Sequence, residues 1–312
     1  MRYINELFDG DRVICHYLCK KKETLKTKLG KNYMSLILQD KTGTINAKVW
    51  TLNHDIHSFE SGDFIKIEGD VTTYQDEPEL RVTRIRKSME GEYDPTEYFP
   101  ATEADVGSII SRLNDFMESI TDTHVKTLVK NIYAIDEIRL ALPTHSAAKN
   151  MHHSYLGGLC EHTLNVVQIC EFLAPRYKFV NRDLLIASAL LHDIGKIFEL
   201  SPFPENDYTD DGQLVGHIVH TAQLIHSEAA KIQGFPPRLE RLLVHSIISH
   251  HGKLEWGSPK LPKTIEAAIL HIADNADANL KMFEDAISKG GSQGDWVGYH
   301  RSLTRDKSKS SY

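Results

Sequence analysis

Asp183-Leu-Leu-Ile-Ala-Ser-Ala-Leu-Leu-His192-Asp193-Ile-Gly195-Lys196 is an apolar run that ends in two side chains of metal-ligand type and a glycine. Its unbroken hydrophobicity predicts a buried helix, stopped at Gly195. An imidazole and a carboxylate at the end of such a helix are costly to bury unless something compensates them, and a divalent cation would. Further along the chain, and before it, residues of the same chemistry recur on predicted helices. His162 begins an apolar helix through Leu164, Val167 and Cys170 that Pro175 ends. His217 and His220 lie in Gly216-His-Ile-Val-His-Thr-Ala, His250-His251 follow Leu239, Leu243 and Ile247, and Asp274 closes Ile269-Leu-His-Ile-Ala.

Most of these polar groups sit within or beside the stripe that should face a core, where ionisable groups need partners. A lone histidine on such a face is usually a hydrogen-bonded packing residue, which is the reading for His220, His245 and His271. Extending it to His162, His192, Asp193, His217, His250, His251 and Asp274 together would require many unrelated buried groups to be satisfied separately. A shared metal site needs only one cause. Imidazole mixed with carboxylate suits Mn, Co, Fe, Ni or Zn, whereas Mg prefers an oxygen shell. The ligands available are enough for two adjacent ions.

The first part of the chain has a different period. Tyr33-Met-Ser-Leu-Ile-Leu, Ile45-Asn-Ala-Lys-Val-Trp50, Phe64-Ile-Lys-Ile-Glu and Leu80-Arg-Val-Thr-Arg-Ile alternate as short strands do, with turn signals at Asp40-Lys-Thr-Gly43 and Glu60-Ser-Gly-Asp63. Five short strands within residues 1–90 predict a small barrel. The pattern Tyr33…Leu36-x-Leu38-x-Asp40-x-x-Gly43-x-Ile45-x-Ala47-x-Val49-Trp50, followed by Gly62-Asp63-x-Ile65-x-Ile67-x-Gly69, resembles the OB-fold of nucleic-acid-binding proteins. In that likeness Lys20, Lys21, Lys22, Lys26, Lys28 and Lys31 fall in the loop between the first two strands, where they would grip a phosphodiester backbone. Tyr33, Trp50 and Tyr74 are candidate stacking surfaces. The alternative is a solvated lysine loop with the aromatics filling the barrel.

Residues 91–104 are acidic and proline-punctuated, which predicts a linker. Residues 105–287 then read as helices, starting with the stripe Val106, Ile109, Ile110, Leu113, Phe116, Met117 and Ile120. Residues 288–312, rich in Gly, Ser, Lys and Arg, read as a flexible tail that could close over a substrate. The fold class expected is therefore multidomain: a small β-barrel followed by an all-α domain.

A chain of 312 residues with 41% hydrophobic and 25% charged residues is ordinary globular material, which excludes a disordered or fibrous protein. The longest apolar stretch is too short for a bilayer, and Met1-Arg-Tyr-Ile-Asn-Glu has no apolar signal core, so a cytoplasmic location is expected. Cys15, Cys19, Cys160 and Cys170 form no Cys-x-x-Cys pair and are expected as reduced packing residues. The net charge of -7 speaks against a uniformly basic surface but not against a basic groove. Gly-x-Ser-x-Gly and P-loop motifs are absent, which removes the commonest competing hydrolase and kinase readings.

His162, His192-Asp193 and Asp274 resemble the H…HD…D pattern of the HD phosphohydrolase superfamily, and His217, His250 and His251 resemble the added histidines of its binuclear members. The resemblance implies that His162, His192, Asp193 and Asp274 hold one ion. His217, His250 and His251 would hold a second, with Asp193 bridging. It implies that Lys196, at the HD-x-x-K position, faces the substrate phosphate, so that Asp193 and Lys196 are the catalytic residues. His250-His251 is followed by Gly252-Lys-Leu-Glu-Trp, which departs from the cyclic-dinucleotide branch.

A barrel before an HD domain, with Met151-His-His-Ser-Tyr-Leu-Gly-Gly-Leu-Cys-Glu-His162-Thr-Leu leading into the first ligand, resembles the YhaM family over nearly the whole chain. That family implies a 3'-5' exoribonuclease acting on single-stranded RNA, with DNA as an alternative, and releasing nucleoside 5'-monophosphates by water activated on two metal ions. Manganese is the first expectation, and the family also implies a homo-oligomer. The doubled His152-His153 belongs to the match, the alternative being a helix-entry pair with no metal role. Two rival functions stay open: hydrolysis of a small phosphoester with the barrel as a docking module, and a non-catalytic nucleic-acid-binding regulator.

Overall fold

Strict alternation builds the N-terminal unit. In β3 (Gly43–Val49) Ile45, Ala47 and Val49 are buried while Thr44 and Asn46 face outward, as a pleated strand with one face on a core requires. Parts of β1 (Arg12–Lys26), β2 (Asn32–Asp40), β4 (Phe64–Tyr74) and β5 (Glu77–Lys87) alternate likewise, as at Val13, Cys15 and Tyr17 or Ile65, Ile67 and Gly69, and the five close into a barrel in the order β1-β2-β3-β5-β4. Closure is the parallel pairing of β3 with β5, Asn46 opposite Glu79 through Lys48 opposite Arg81. Tyr17, Leu36, Leu38, Ile65, Ile67, Leu80 and Ile85 fill the interior. These findings come from a computed structural model that describes residues 2–27, 29–74, 77–149, 153–289, 296–300 and 305–308.

One expectation about this unit changes. β1 is not short: its first half pairs with β4 (Arg12 opposite Asp70) and its second half with β2 (Lys26 opposite Asn32), with a bulge between Cys19 and Lys21. A barrel strand must serve two neighbours, and a bulge lets it bend between them. The segment from Lys20 to Lys26 is therefore strand, not loop; the Thr27 amide donates to the Lys31 carbonyl at 2.8 Å where the chain turns toward β2.

The second unit is helical: α1 (Val106–Ser119), α2 (Thr123–Ala134), α3 (Asp136–Ala141), α4 (Gly158–Leu173), α5 (Arg182–Leu191), α6 (Lys196–Glu199), α7 (Asp210–Leu214), α8 (His217–Ala230), α9 (Pro237–Ser249) and α10 (Ile265–Lys289). Starts are set by side-chain caps: Asp105 accepts from the Ser108 amide at 2.8 Å, Asp122 from Val125 at 3.0 Å and Asn181 from Leu184 at 3.1 Å. In α5 every residue from Leu184 to Leu191 is buried, so this helix is the centre of the unit. Its first turn is tied to the α1–α2 corner by Asp183, whose carboxylate accepts from the Thr121 amide and hydroxyl and the Asp122 amide.

Gly195 does not stop α5 in the way expected. Its φ of -65° is ordinary right-handed helical geometry, so no left-handed cap is formed. Its role is contact: a Cβ there would collide with the His217 carbonyl and the Thr221 hydroxyl, and its amide donates to Thr221 Oγ1 at 3.1 Å. Within the stretch expected to be a tail, β6 (Trp296–His300) and β7 (Arg305–Ser308) pair antiparallel. By contacts the chain divides into Met1–Ala101 with Phe203–Glu205, and Thr102–Pro202 with Asn206–Tyr312. All four cysteines are buried free thiols. Among the described residues no helix is long and apolar enough to cross a membrane.

Candidate metal centre

Helix ends deliver most of the side chains. His192 caps α5 and Asp193 follows it, His250 caps α9 and His251 follows, and His217 is the first residue of α8. His162 comes from the second turn of α4 and Asp274 from within α10. Four of the histidines and Lys196 converge on Asp193. Its Oδ2 lies 3.4 Å from His162 Nε2, 3.4 Å from His192 Nε2 and 2.7 Å from the Lys196 ammonium. Its Oδ1 faces His217 Nε2 at 3.5 Å and His250 Nε2 at 3.6 Å. His162 Nε2 is also 3.3 Å from Asp274 Oδ1 and 3.1 Å from His192 Nε2. Three groups among the described residues have ligand atoms mutually within 4.8 Å: His162, His192 and Asp193; His217, His250 and His251; and His153, His162 and Asp277, which shares His162 with the first.

The opposite ring nitrogens show how the imidazoles are aimed. His192 Nδ1 donates to the Ala189 carbonyl at 2.8 Å, His250 Nδ1 to Ile247 at 2.6 Å and His251 Nδ1 to Trp256 at 2.8 Å. His217 Nδ1 donates to Glu199 at 2.9 Å and His162 Nδ1 to Asp277 Oδ2 at 2.7 Å. A carbonyl oxygen carries no proton, so in the neutral rings of His192, His250 and His251 the hydrogen belongs on Nδ1 and Nε2 keeps a lone pair. That is the tautomer a metal ligand needs, held by its outer partner.

Electrostatics favour a cation here. Burial alone would raise the Asp193 pKa, but the Lys196 ammonium and the surrounding imidazoles outweigh it and hold the carboxyl well below the usual range. Asp274 and Asp277 are likewise lowered: burial opposes, and the histidines they bond prevail. Burial works against a charged His162, yet Asp193, Asp274 and Asp277 together lift its pKa well above the ordinary value. Burial lowers His250, and burial with the neighbouring His250 lowers His251, so both stay neutral. Burial pushes Lys196 down and Asp193 pushes it up, with a net rise.

The donor set fits a metal on one direct observation. Asp193 Oδ1, His217 Nε2 and His250 Nε2 are buried with no hydrogen-bond partner. Such orphans are expensive in a native interior, and here three face one another. The remaining orphan among the described residues, His220 Nε2, belongs to a ring stacked on Phe198. His245 accepts from the Lys263 amide and His271 bonds the His250 carbonyl, so those two are accounted for locally.

Sequence reading passed over the outer partners. Asp277 holds His162 Nδ1, accepts from Asn165 Nδ2 at 2.9 Å and bonds His153 Nε2 at 2.8 Å; Glu199 holds both the backbone and the ring of His217. Asp277 lies three residues after Asp274, on the same helical face, which was the available signal. His153 is fully buried and also bonds the Tyr155 hydroxyl. His152 lies outside the described residues.

In the barrel, Tyr33 and Trp50 do come together, stacked with centroids 4.7 Å apart, and Trp50 is 43% exposed just past the end of β3. Lys48 adds a cation 5.9 Å from the Tyr33 ring, a residue that sequence reading missed. The lysines do not form one cluster. Lys22 turns to Glu60 at 3.2 Å and lies over the Phe59 ring, Lys21 pairs with Glu23 at 2.8 Å, and Lys20, Lys26 and Lys31 are exposed. Alternation along β1 explains the scatter: successive lysines point to different faces. Tyr74 is exposed at the end of β4, and Lys28 lies outside the described residues.

Comparison with known proteins agrees with both halves. Residues 159–279 match the HD domain family and residues 20–87 the OB-fold nucleic acid binding domain. The 3'-5' exoribonuclease YhaM of Geobacillus sp. (strain WCH70) is 33% identical over 285 residues, covering 90% of this chain and 86% of that protein. Among solved structures, the second OB-fold domain of replication protein A from Methanococcus maripaludis is 24% identical, covers 29% of this chain and 96% of that one, and has a TM-score of 0.23. A replication protein A heterotrimer bound to ssDNA is 13% identical, over 28% of this chain and 64% of that one, with a TM-score of 0.23. The two family matches and the strand and helix order make the architecture an OB-fold barrel followed by a helical HD domain.

Proposed function

This chain belongs to the YhaM 3'-5' exoribonuclease family and is a nucleic-acid hydrolase, and we propose that it is a metal-dependent enzyme that shortens single-stranded RNA from the 3' end, releasing nucleoside 5'-monophosphates. The observation that carries the reading is the set of buried, unpartnered atoms of Asp193, His217 and His250. His162, His192, Asp193 and Asp274 would hold one divalent ion, and His217, His250 and His251, with Asp193 shared, a second. The donor types suit Mn first, with Co, Fe, Ni or Zn as alternatives. When bound, such ions supply Lewis acidity that brings water toward a neutral pKa and offsets charge on phosphorus oxygens in the transition state.

The chain's own groups do the rest. Asp277 and Glu199 orient His162 and His217, as outer carboxylates do for ligating imidazoles. Lys196 is held near the reacting centre by Asp193 and offers its ammonium to a phosphate oxygen when substrate arrives. In the barrel, Tyr33 and Trp50 present aromatic faces to unstacked bases while Lys20, Lys21, Lys26, Lys31 and Lys48 meet the backbone, a sequence-tolerant mode of single-strand binding. Single-stranded DNA would be accepted by the same chemistry. Assembly into a homo-oligomer and a cytoplasmic location complete the reading.

The test pairs metal analysis of the purified protein with turnover of labelled single-stranded RNA, for wild type and Asp193→Asn. About two ions per chain and shortening of the RNA are expected in wild type, both lost in the variant. Hydrolysis confined to mononucleotides would point instead to a small-phosphoester enzyme. No turnover with added manganese would point to a binding protein without catalysis.

A further inference from the structure

Beside the histidine cage the helical unit has a cavity of about 360 Å³. Buried His217 and half-buried Lys196 and His251 supply its inner lining, Lys196 paired with Asp193, and buried Leu200 adds an apolar wall. Toward solvent lie Tyr208, which is exposed, and Lys149, which is half-buried. Neither of these two residues takes part in the cage.

Their setting is organised. Tyr208 pairs its backbone with Leu200, and its amide donates to Asp207 Oδ1 at 2.7 Å. The ring is 46% exposed. Lys149 pairs with the Asp207 carboxylate and brings its ammonium 5.8 Å from the centre of the Tyr208 ring. The cavity therefore joins an aromatic face and a cation at its open side to a cation and imidazoles at its buried side. An exposed ion pair is weakly held, so a phosphate can take the place of Asp207 on Lys149. Glu199 also lines the cavity, but its carboxylate is occupied by His217.

We propose that this cavity receives the terminal nucleotide of the strand, with Tyr208 stacking on its base, Lys149 meeting a neighbouring backbone phosphate and Lys196 meeting the phosphate to be cut. The inference rests on the nuclease reading and adds the subsite that defines the end of the substrate. Its volume is at the small end for ligand pockets, which suits one nucleotide and not a base pair. An aromatic face accepts any base, so the site removes residues without regard to sequence. Tyr208 and Lys149 are positioning contacts: they determine where the chain end lies, while the bond-breaking groups are elsewhere.

The experiment is equilibrium binding of AMP and of ribose 5-phosphate to the full chain with manganese added. AMP should bind more tightly by on the order of ten-fold, the share of one stacked base. Tyr208→Ala should erase that difference while leaving ribose 5-phosphate unchanged, Tyr208→Phe should keep it, and Lys149→Gln should raise KM for an RNA oligomer more than it lowers kcat. Equal binding of the two ligands by wild type, or a difference that survives Tyr208→Ala, overturns the proposal. RNA turnover of wild type is read separately. Turnover without the AMP preference removes only this subsite, and an AMP preference without RNA turnover removes only the nuclease reading.

Discussion

The barrel and the heart of the helical unit treat their charges in opposite ways. On the barrel, Arg86 and Glu92 form a double hydrogen bond at 2.7 Å, Lys87 meets Asp63 at 2.6 Å, and Arg84 reaches Glu68 at 3.5 Å. Each of these charges has a partner and access to water. Around Asp193, carboxylate and imidazole atoms are buried deeper and several face each other without a hydrogen bond. The lesson is that unsatisfied polar atoms locate a ligand better than charge density does. The lysines of β1 are spread over separate contacts, whereas the cage gathers carboxylates, imidazoles and one ammonium around a single buried Asp193.

The sharpest way to break this contrast is Asp193→Asn, which removes the shared charge but keeps the shape. Turnover should fall by more than about 100-fold, beyond the cost of outer-partner changes, with the metal content of the purified protein falling in parallel. A variant that kept its metal would mean that Asp193 is not common to both histidine groups. Next comes Asp277→Asn, which leaves all proposed ligands in place. Metal affinity, read by titration with a chelator, should weaken by roughly 10–100-fold, and unchanged affinity would leave Asp277 as mere packing.

On the barrel, Trp50→Ala should weaken binding of a single-stranded oligonucleotide by on the order of ten-fold, with little effect on the thermal midpoint because the ring is already exposed. A large loss of stability with unchanged binding would make Trp50 a structural residue after all. The smallest effect concerns pH. His145 is buried between the Ser146 and Leu200 carbonyls, and burial lowers its pKa below the ordinary 6.5. Above that pH the ring is neutral whether the chain is folded or not. As pH falls below it the unfolded chain gains a proton that the folded chain refuses, so stability is lost. Melting curves between about pH 7.5 and 5.5 should decline less steeply in His145→Gln than in wild type.

Much of this was legible in the residues. Alternation in Ile45-Asn-Ala-Lys-Val marks a barrel strand, and the apolar run into His192-Asp193 marks a buried helix with ligands at its end, because both are local patterns with a fixed period. What stayed hidden depends on contacts between distant segments. Asp277 reads as one more helix carboxylate until α10 packs on α4 and sets it against His162. Gly195 reads as a helix stop, and only the nearness of α8 reveals it as a point of close packing. The lysines of β1 misled because no local signal says that a strand will bend and continue past its first partner.

His162 and Asp277 are 115 positions apart and touch directly. No shorter piece of the helical unit can therefore bring these two together, and among the described residues α10 is the last helix to be made. A chain growing from the ribosome gains its barrel early, since domains fold in the order of synthesis. It becomes able to cut only after α10 has docked. The order of elements puts the barrel first and the completed cage last, so the hydrolytic centre is among the final parts of the chain to form.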